Sequence, residues 1–306
     1  MRSFIAGFIA AAAVIAPIGA ELGETPINMA AAAETNVDSD AKQRVYLAAR
    51  QRMLSQRMTK AACMLSIGAD HDRYLAVMSE AETTFDETLR ALRDGETRLG
   101  VDGAERSSKV VRALAVVEGE WTLYKGALDA MIERDEFSGP DLETVFAHNL
   151  PLLDASETAL AMVKKAHANP NDMLMSTAIA INIADRQRML SQEIAAVLCE
   201  LDVGWRPAET KAKLAEVVSL FETSHKALAE GLPAAGIAPP PTEEARRALD
   251  KVWAHWLTMR DDVEAALAGA LPSAASLSAW GYENDLLLEE LDEVVALYSG
   301  RSASGS

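Results

Sequence analysis

The sequence predicts an all-α protein: two tandem up-down-up-down four-helix bundles packed as a pseudo-twofold dimer. Three observations lead there. The composition favours helix over sheet, with 49% hydrophobic residues but only 5% aromatic ones among 306, many Ala, Leu, Met and Glu, and few Val/Ile/Thr runs. Amphipathic stretches recur between Gly- and Pro-bearing breaks. The chain also repeats itself: Arg50-Gln51-Arg52-Met53-Leu54-Ser55-Gln56 returns unchanged as Arg186-Gln187-Arg188-Met189-Leu190-Ser191-Gln192. Cys63 and Cys199 keep the same offset, as do Phe85 and Phe221, and Gly95 and Gly231. After a one-residue slip, Trp121 matches Trp256 and Asn149 matches Asn284.

Taken in order, the N-terminus comes first. Met1-Arg2-Ser3 is a short positive start, Phe4 to Ile18 is apolar, and small residues follow at Gly19-Ala20 and at Ala30 to Ala33. Residues 1–33 therefore read as a signal peptide and disordered lead, with cleavage after Ala20 or after Ala33. An uncleaved anchor fits less well, because spanning a bilayer takes about 20 apolar residues and Pro17 interrupts this run. The expected compartment is the periplasm. The first unit, 34–168, carries helical periodicity over about 41–68, 71–94, 105–135 and 141–167. Ala168-Asn169-Pro170-Asn171-Asp172 joins the units, and Pro170 argues for a chain reversal that sets the two first helices side by side and parallel. The second unit, 173–299, reads as helices over about 173–203, 207–230, 243–268 and 276–298, leaving a disordered tail at 300–306. Four amphipathic helices with short links make a bundle.

Charge excludes some partners and points to another. With 29 Lys+Arg against 46 Asp+Glu and a net charge of −17, the chain lacks the basic footprint that nucleic acid or an anionic membrane requires. Yet between Asp40 and Asp70 there is no acid, while Lys42, Arg44, Arg50, Arg52, Arg57 and Lys60 all lie inside. At 100° per residue, Leu47, Leu54, Met58, Ala61 and Leu65 form one stripe, the core face of the unit's own bundle. Arg52, Ser55, Gln56, Thr59 and Cys63 form the opposite one, matched by Arg188, Ser191, Gln192, Ala195 and Cys199. If the first helices meet through these second stripes, Arg52 and Arg188 face each other. Two readings then stand: a small oxyanion between the guanidiniums, whose paired donors suit two oxygens, or salt bridges to carboxylates from elsewhere in the bundle. In the first, Arg52 and Arg188 are ligands and Ser55, Gln56, Ser191 and Gln192 add hydrogen bonds. Arg50 and Arg186 complete the ligand-binding set, and Arg50, Arg57 and Lys60 supply an attracting field. Cys63 and Cys199 are either a disulfide across the pseudo-axis or two buried thiols.

No enzyme signature is present. His71, His148, His167, His225 and His255 lack metal spacing, and there is no phosphate loop or nucleophile elbow. No cofactor is expected, and Met53, Met58, Met64 and Met189 read as core filling.

Ala49 to Met58 resembles the first-helix signature of the periplasmic sensor domains of NarX-like nitrate/nitrite sensor kinases. It also resembles that of the PilJ-like N-terminal domain of type IV pili methyl-accepting chemotaxis transducers. Asp185 to Ile194 resembles both again. The resemblance implies a four-helix sensor unit present twice, and a ligand such as nitrate or nitrite held at the dimer axis by the arginines matching Arg52 and Arg188. It also implies a non-enzymatic role in signal transduction, with a membrane receptor, sensor kinase or transporter as partner. The alternative is a ligand-free envelope interaction or scaffold module related to the chemotaxis transducer input domains.

Overall fold

A computed structural model describes residues 26–167 and 175–299. The chain divides into two compact units, Met1–Val37 and Asp38–Ser306. In the former the chain is helical from Pro26 onward; both bundles lie in the latter. The signal-peptide reading falls mostly outside the described residues, as do the 168–172 linker and the 300–306 tail.

The described residues are all-helical, without a strand. The first copy of the repeat holds α1 (Pro26–Ser66), α2 (His71–Asp94), α3 (Ser108–Arg134) and α4 (Gly139–His167). The second holds α5 (Met175–Asp202), α6 (Pro207–Glu230), α7 (Glu243–Ala268) and α8 (Ala274–Ser299). The periodicity places most of these boundaries within a few residues; α1 begins earlier, at Pro26 instead of 41. Caps explain several ends. Asp70 accepts the Arg73 amide ahead of α2 and Thr242 accepts the Ala245 amide ahead of α7, while Pro207 opens α6.

The α2–α3 and α6–α7 connections are built alike. Each contains a single 3-10 turn, Thr97–Leu99 or Pro233–Ala235, closed by an isolated bridge, Glu96 to Val101 or Leu232 to Ile237. Gly95 holds φ at 84°, and a Cβ there would stand 2.5 Å from the Gly103 carbonyl carbon, so no other residue fits this crossing. Arg44 reaches the same loop from α1, donating to the carbonyls of Leu92, Asp102 and Gly103.

Pseudosymmetry extends to single hydrogen bonds. Gln51 donates to the Phe85 carbonyl and to Thr88; Gln187 donates to the Phe221 carbonyl and to Ser224. Trp121 donates to Asp86, and Trp256 to Glu222. Between the copies, α1 meets α8 and, reciprocally, α4 meets α5. At equivalent places Phe146 packs on Trp205 at 5.6 Å, and Gly281 packs against Tyr74 and Met64. Enclosed by its own bundle and by the other copy, α1 is buried almost all round from Leu47 to Leu65, and α5 is similarly enclosed. An amphipathic helix of a lone bundle would show one wet face. Here both faces are dry, so polar residues on either must find partners inside.

Candidate functional site

The heptapeptide lies mid-way along α1 and along α5, where burial is deepest. Arg52 is 2% exposed and Arg188 4%. The Arg52 Nη1 donates to Glu157 on α4 at 2.9 Å, and the Arg188 Nη1 to Asp292 on α8 at 2.6 Å. These acids occupy equivalent places, so each arginine is tied to the fourth helix of its own copy. Of the stripe expected to face the other copy, Arg52, Gln56 and Thr59 therefore turn inward, and Cys63 alone reaches across. Ser55 and Ser191 donate to the Arg52 and Arg188 carbonyls, and Gln56 and Gln192 to the Asn149 and Asn284 side chains. Thr59 shares a 2.7 Å bond with Tyr124 of α3. An α-helix wrapped on all sides has no spare face, and the 100° construction could not decide which stripe the other copy would cover.

The two guanidiniums differ in one respect. The Nη2 of Arg188 donates to Asp185 at 2.7 Å, whereas the position matching Asp185 in the first copy is Ala49. As a result the Nε and Nη2 of Arg52, the two donors along one edge of its fork, are buried without a hydrogen-bond partner. For Arg188 only Nε is so left. Burial disfavours the Arg188 charge, but Asp185 and Asp292 outweigh it and raise its pKa. Lys164 of α4, bonded to Asn182 of α5, joins the group: burial and then the Arg52 charge lower its pKa, opposed by Asp185 and Glu157. Tyr46 of α1 also acts on Arg188, so the arginine ends of α1 and α5 are neighbours. Arg50 and Arg186, which open the two heptapeptides, are half-buried, and among the described residues neither shares a carboxylate partner with Arg52 or Arg188.

Farther along, Cys63 and Cys199 form a disulfide with a Cα–Cα distance of 6.1 Å. With Tyr46 beside Arg188 at one end and this bond at the other, α1 and α5 run parallel. Lys60 is no part of an attracting field. It is fully buried and donates to Asp285 at 2.6 Å and Asn284 at 2.9 Å on α8, while Arg73 of α2 takes the other Asp285 oxygen. Burial pushes the Lys60 pKa down to about 8, against Asp285. Nearby Glu200 of α5 is 7% exposed and accepts one long bond from Asn149, and burial pushes its pKa up to about 8. Its equivalent is Met64.

Sequence reasoning missed Glu157, Asp292 and Lys164, because nothing in a row of surface-type charges says which one a helix turns inward. Asp185 carried a signal: it is an acid one turn before an arginine, absent from the other copy. Four of the five histidines, His71, His148, His167 and His255, lie against carboxylates. Among the described residues no group of three or more metal-ligating side chains is arranged to hold an ion, and no helix is long and apolar enough to cross a membrane.

Comparison with protein families matches residues 35–136 and 171–280, more than half the chain, to the type IV pili methyl-accepting chemotaxis transducer N-terminal domain, PilJ. No curated protein matches the chain.

Proposed function

The chain belongs to the PilJ family of type IV pili methyl-accepting chemotaxis transducer N-terminal domains, and from that premise we propose that it is a non-enzymatic periplasmic sensory input module that carries both halves of a sensor in one polypeptide. Its signal is a small planar oxyanion such as nitrate or nitrite, received by Arg52 instead of by a symmetric arginine pair. The observation that carries this is the enclosed, unpartnered Nε/Nη2 edge of Arg52. Two parallel N–H donors in a dry site suit two oxygens of one anion, and donors left unmet there cost free energy. In the second copy Asp185 supplies that anion from within and takes the Arg188 Nη2, leaving only Nε unmet. Lys164 adds positive charge beside Arg52.

Because the Arg52 edge is enclosed, an entering anion parts α1 from its neighbours, and occupancy is thereby coupled to the packing between copies. A membrane receptor, sensor kinase or transporter would read that change. Calorimetry on the full chain tests the reading. Nitrate or nitrite should bind saturably, Arg52→Ala should abolish the heat, and Arg188→Ala should weaken it less. Ala49→Asp, which supplies the first copy with the carboxylate of the second, should abolish it as well.

The scaffold reading is favoured by a different observation: Glu157, Asp185 and Asp292 balance Arg52, Arg188 and Lys164 charge for charge. Under that reading no small oxyanion gives heat, and Ala49→Asp raises stability without changing any binding.

A further inference from the structure

Away from the arginines, α6 and α7 flank a cleft of about 410 Å³, within the range of small-ligand sites. Its walls include Glu222, His225, Ala229, Glu230, Asp250 and Trp253, with Lys226 at the side. The equivalent place in the first copy is filled. There Arg93 of α2 donates to both oxygens of its neighbour Asp94 and to Glu118 of α3. Position by position, Arg93 becomes Ala229, Glu118 becomes Trp253, Asp94 becomes Glu230 and Leu89 becomes His225. The second copy has thus lost the guanidinium, kept one of its acids, and set an indole where the other stood. Asp250, where the first copy has Ala115, adds a second carboxylate.

Two further facts mark the cleft as more than a gap left by a missing side chain. Neither Glu230 nor Asp250 forms an ion pair among the described residues, whereas Glu222 is held by Arg260 and by the Trp256 indole N–H. His225 forms the floor. It is 3% exposed, lies stacked under Trp253 with centroids 5.1 Å apart and planes 19° from parallel, and its Nδ1 finds no partner. Burial pushes its pKa down to about 4, against the pull of Asp250, so the ring is neutral and retains an acceptor. A buried imidazole left unpaired costs stability that an apolar residue such as Leu89 does not.

We propose that the α6–α7 cleft is a binding site for a small organic cation bearing a guanidinium or primary amine, which takes the place held by the Arg93 side chain in the first copy. The charged head lies between Glu230 and Asp250, its face or alkyl stem rests on Trp253 through a cation–π contact, and an N–H reaches the imidazole of His225. Lys226 opposes a second positive charge on its side, favouring a ligand with one head in the cleft and its tail in water.

Calorimetry on the full chain with agmatine and putrescine as probes, and glutarate as the anionic control, tests this. The expected result is saturable binding of agmatine and no heat from glutarate. Asp250→Asn and Trp253→Leu should each weaken agmatine at least tenfold, and Ala229→Arg should abolish it by restoring the side chain the first copy has. Asp250 is exposed, so its variant leaves the fold intact and remains decisive if Ala229→Arg does not fold. No saturable heat from either cation overturns the proposal. So does equal binding of glutarate, or agmatine binding unchanged in a folded Asp250→Asn or Ala229→Arg protein. The oxyanion reading is untouched by either result, since Arg52 lies on another helix.

Discussion

In the first copy Thr59 and Tyr124 share a buried hydrogen bond; in the second the same two positions hold Ala195 and Met259, both buried, and no polar atom remains. The exchange is concerted, as it must be where one unpaired hydroxyl would cost about 1–3 kcal/mol. Other differences cross the seam. Lys60 faces Asp285, where the symmetric pairing would set Ala196 against Leu150; Glu200 faces Asn149, where the symmetric pairing would set Met64 against Asn284. Scaffold contacts such as Gln51 to Phe85 are kept in both copies, and charge is altered where the copies meet. A sensor assembled from identical subunits places every substitution twice, so a buried lysine and its carboxylate partner would both appear on each side of the axis. Fusion into one chain removes that constraint, and the interior has become lopsided.

The largest way to break this asymmetry is Asp285→Ala, which strands the fully buried Lys60 without its carboxylate partner. A buried charge that loses its partner costs about 3–5 kcal/mol, to be read as a lower urea midpoint at pH 7; Leu150→Ala at the matching exposed position should cost under about 0.5 kcal/mol. Replacing Cys63 and Cys199 together by Ala should cost about 2–4 kcal/mol, since the bond closes a long loop in the unfolded chain. The unmodified protein under strong reductant gives the comparison. Gly281→Ala should cost about 1–3 kcal/mol by overpacking, because its Cβ would come within 2.5 Å of the Tyr74 hydroxyl. At the equivalent Phe146 no such limit exists.

Glu200 sharpens the comparison through pH. Its folded pKa lies above the unfolded value, so between them the native state binds more protons and stability falls as pH rises toward about 8. Glu200→Gln should flatten that decline, with the difference vanishing below pH 4; a slope unchanged in the variant would show that other groups set it.

Much of this was legible from residues alone. The duplication and the helices follow from offsets and periodicity, while the shared offset of Cys63 and Cys199 leaves a bond and two separate thiols equally open. Which face of α1 looks where was not legible. The 100° construction separates two stripes, but where both are buried it does not say which one the other copy covers. Nor could sequence show that Arg44 ties down the α2–α3 loop, or that Lys60 is an interior cation, since basic residues in a run look alike until a tertiary contact separates them. The α6–α7 cleft was hidden for a related reason: Ala229 and Trp253 mean nothing until Arg93 and Glu118 are seen filling the same place.

The Cys63–Cys199 bond has a mechanical meaning as well. It pins α1 and α5 close to their C-terminal ends, at Ser66 and Asp202, and a covalent pin forbids one helix from sliding along the other. What remains is a scissor motion with the disulfide as fulcrum. Arg52 lies 11 residues from that pin, about 16 Å along the helix. A parting of the two helices therefore grows with distance from the fulcrum, and Arg52 lies well out along that arm.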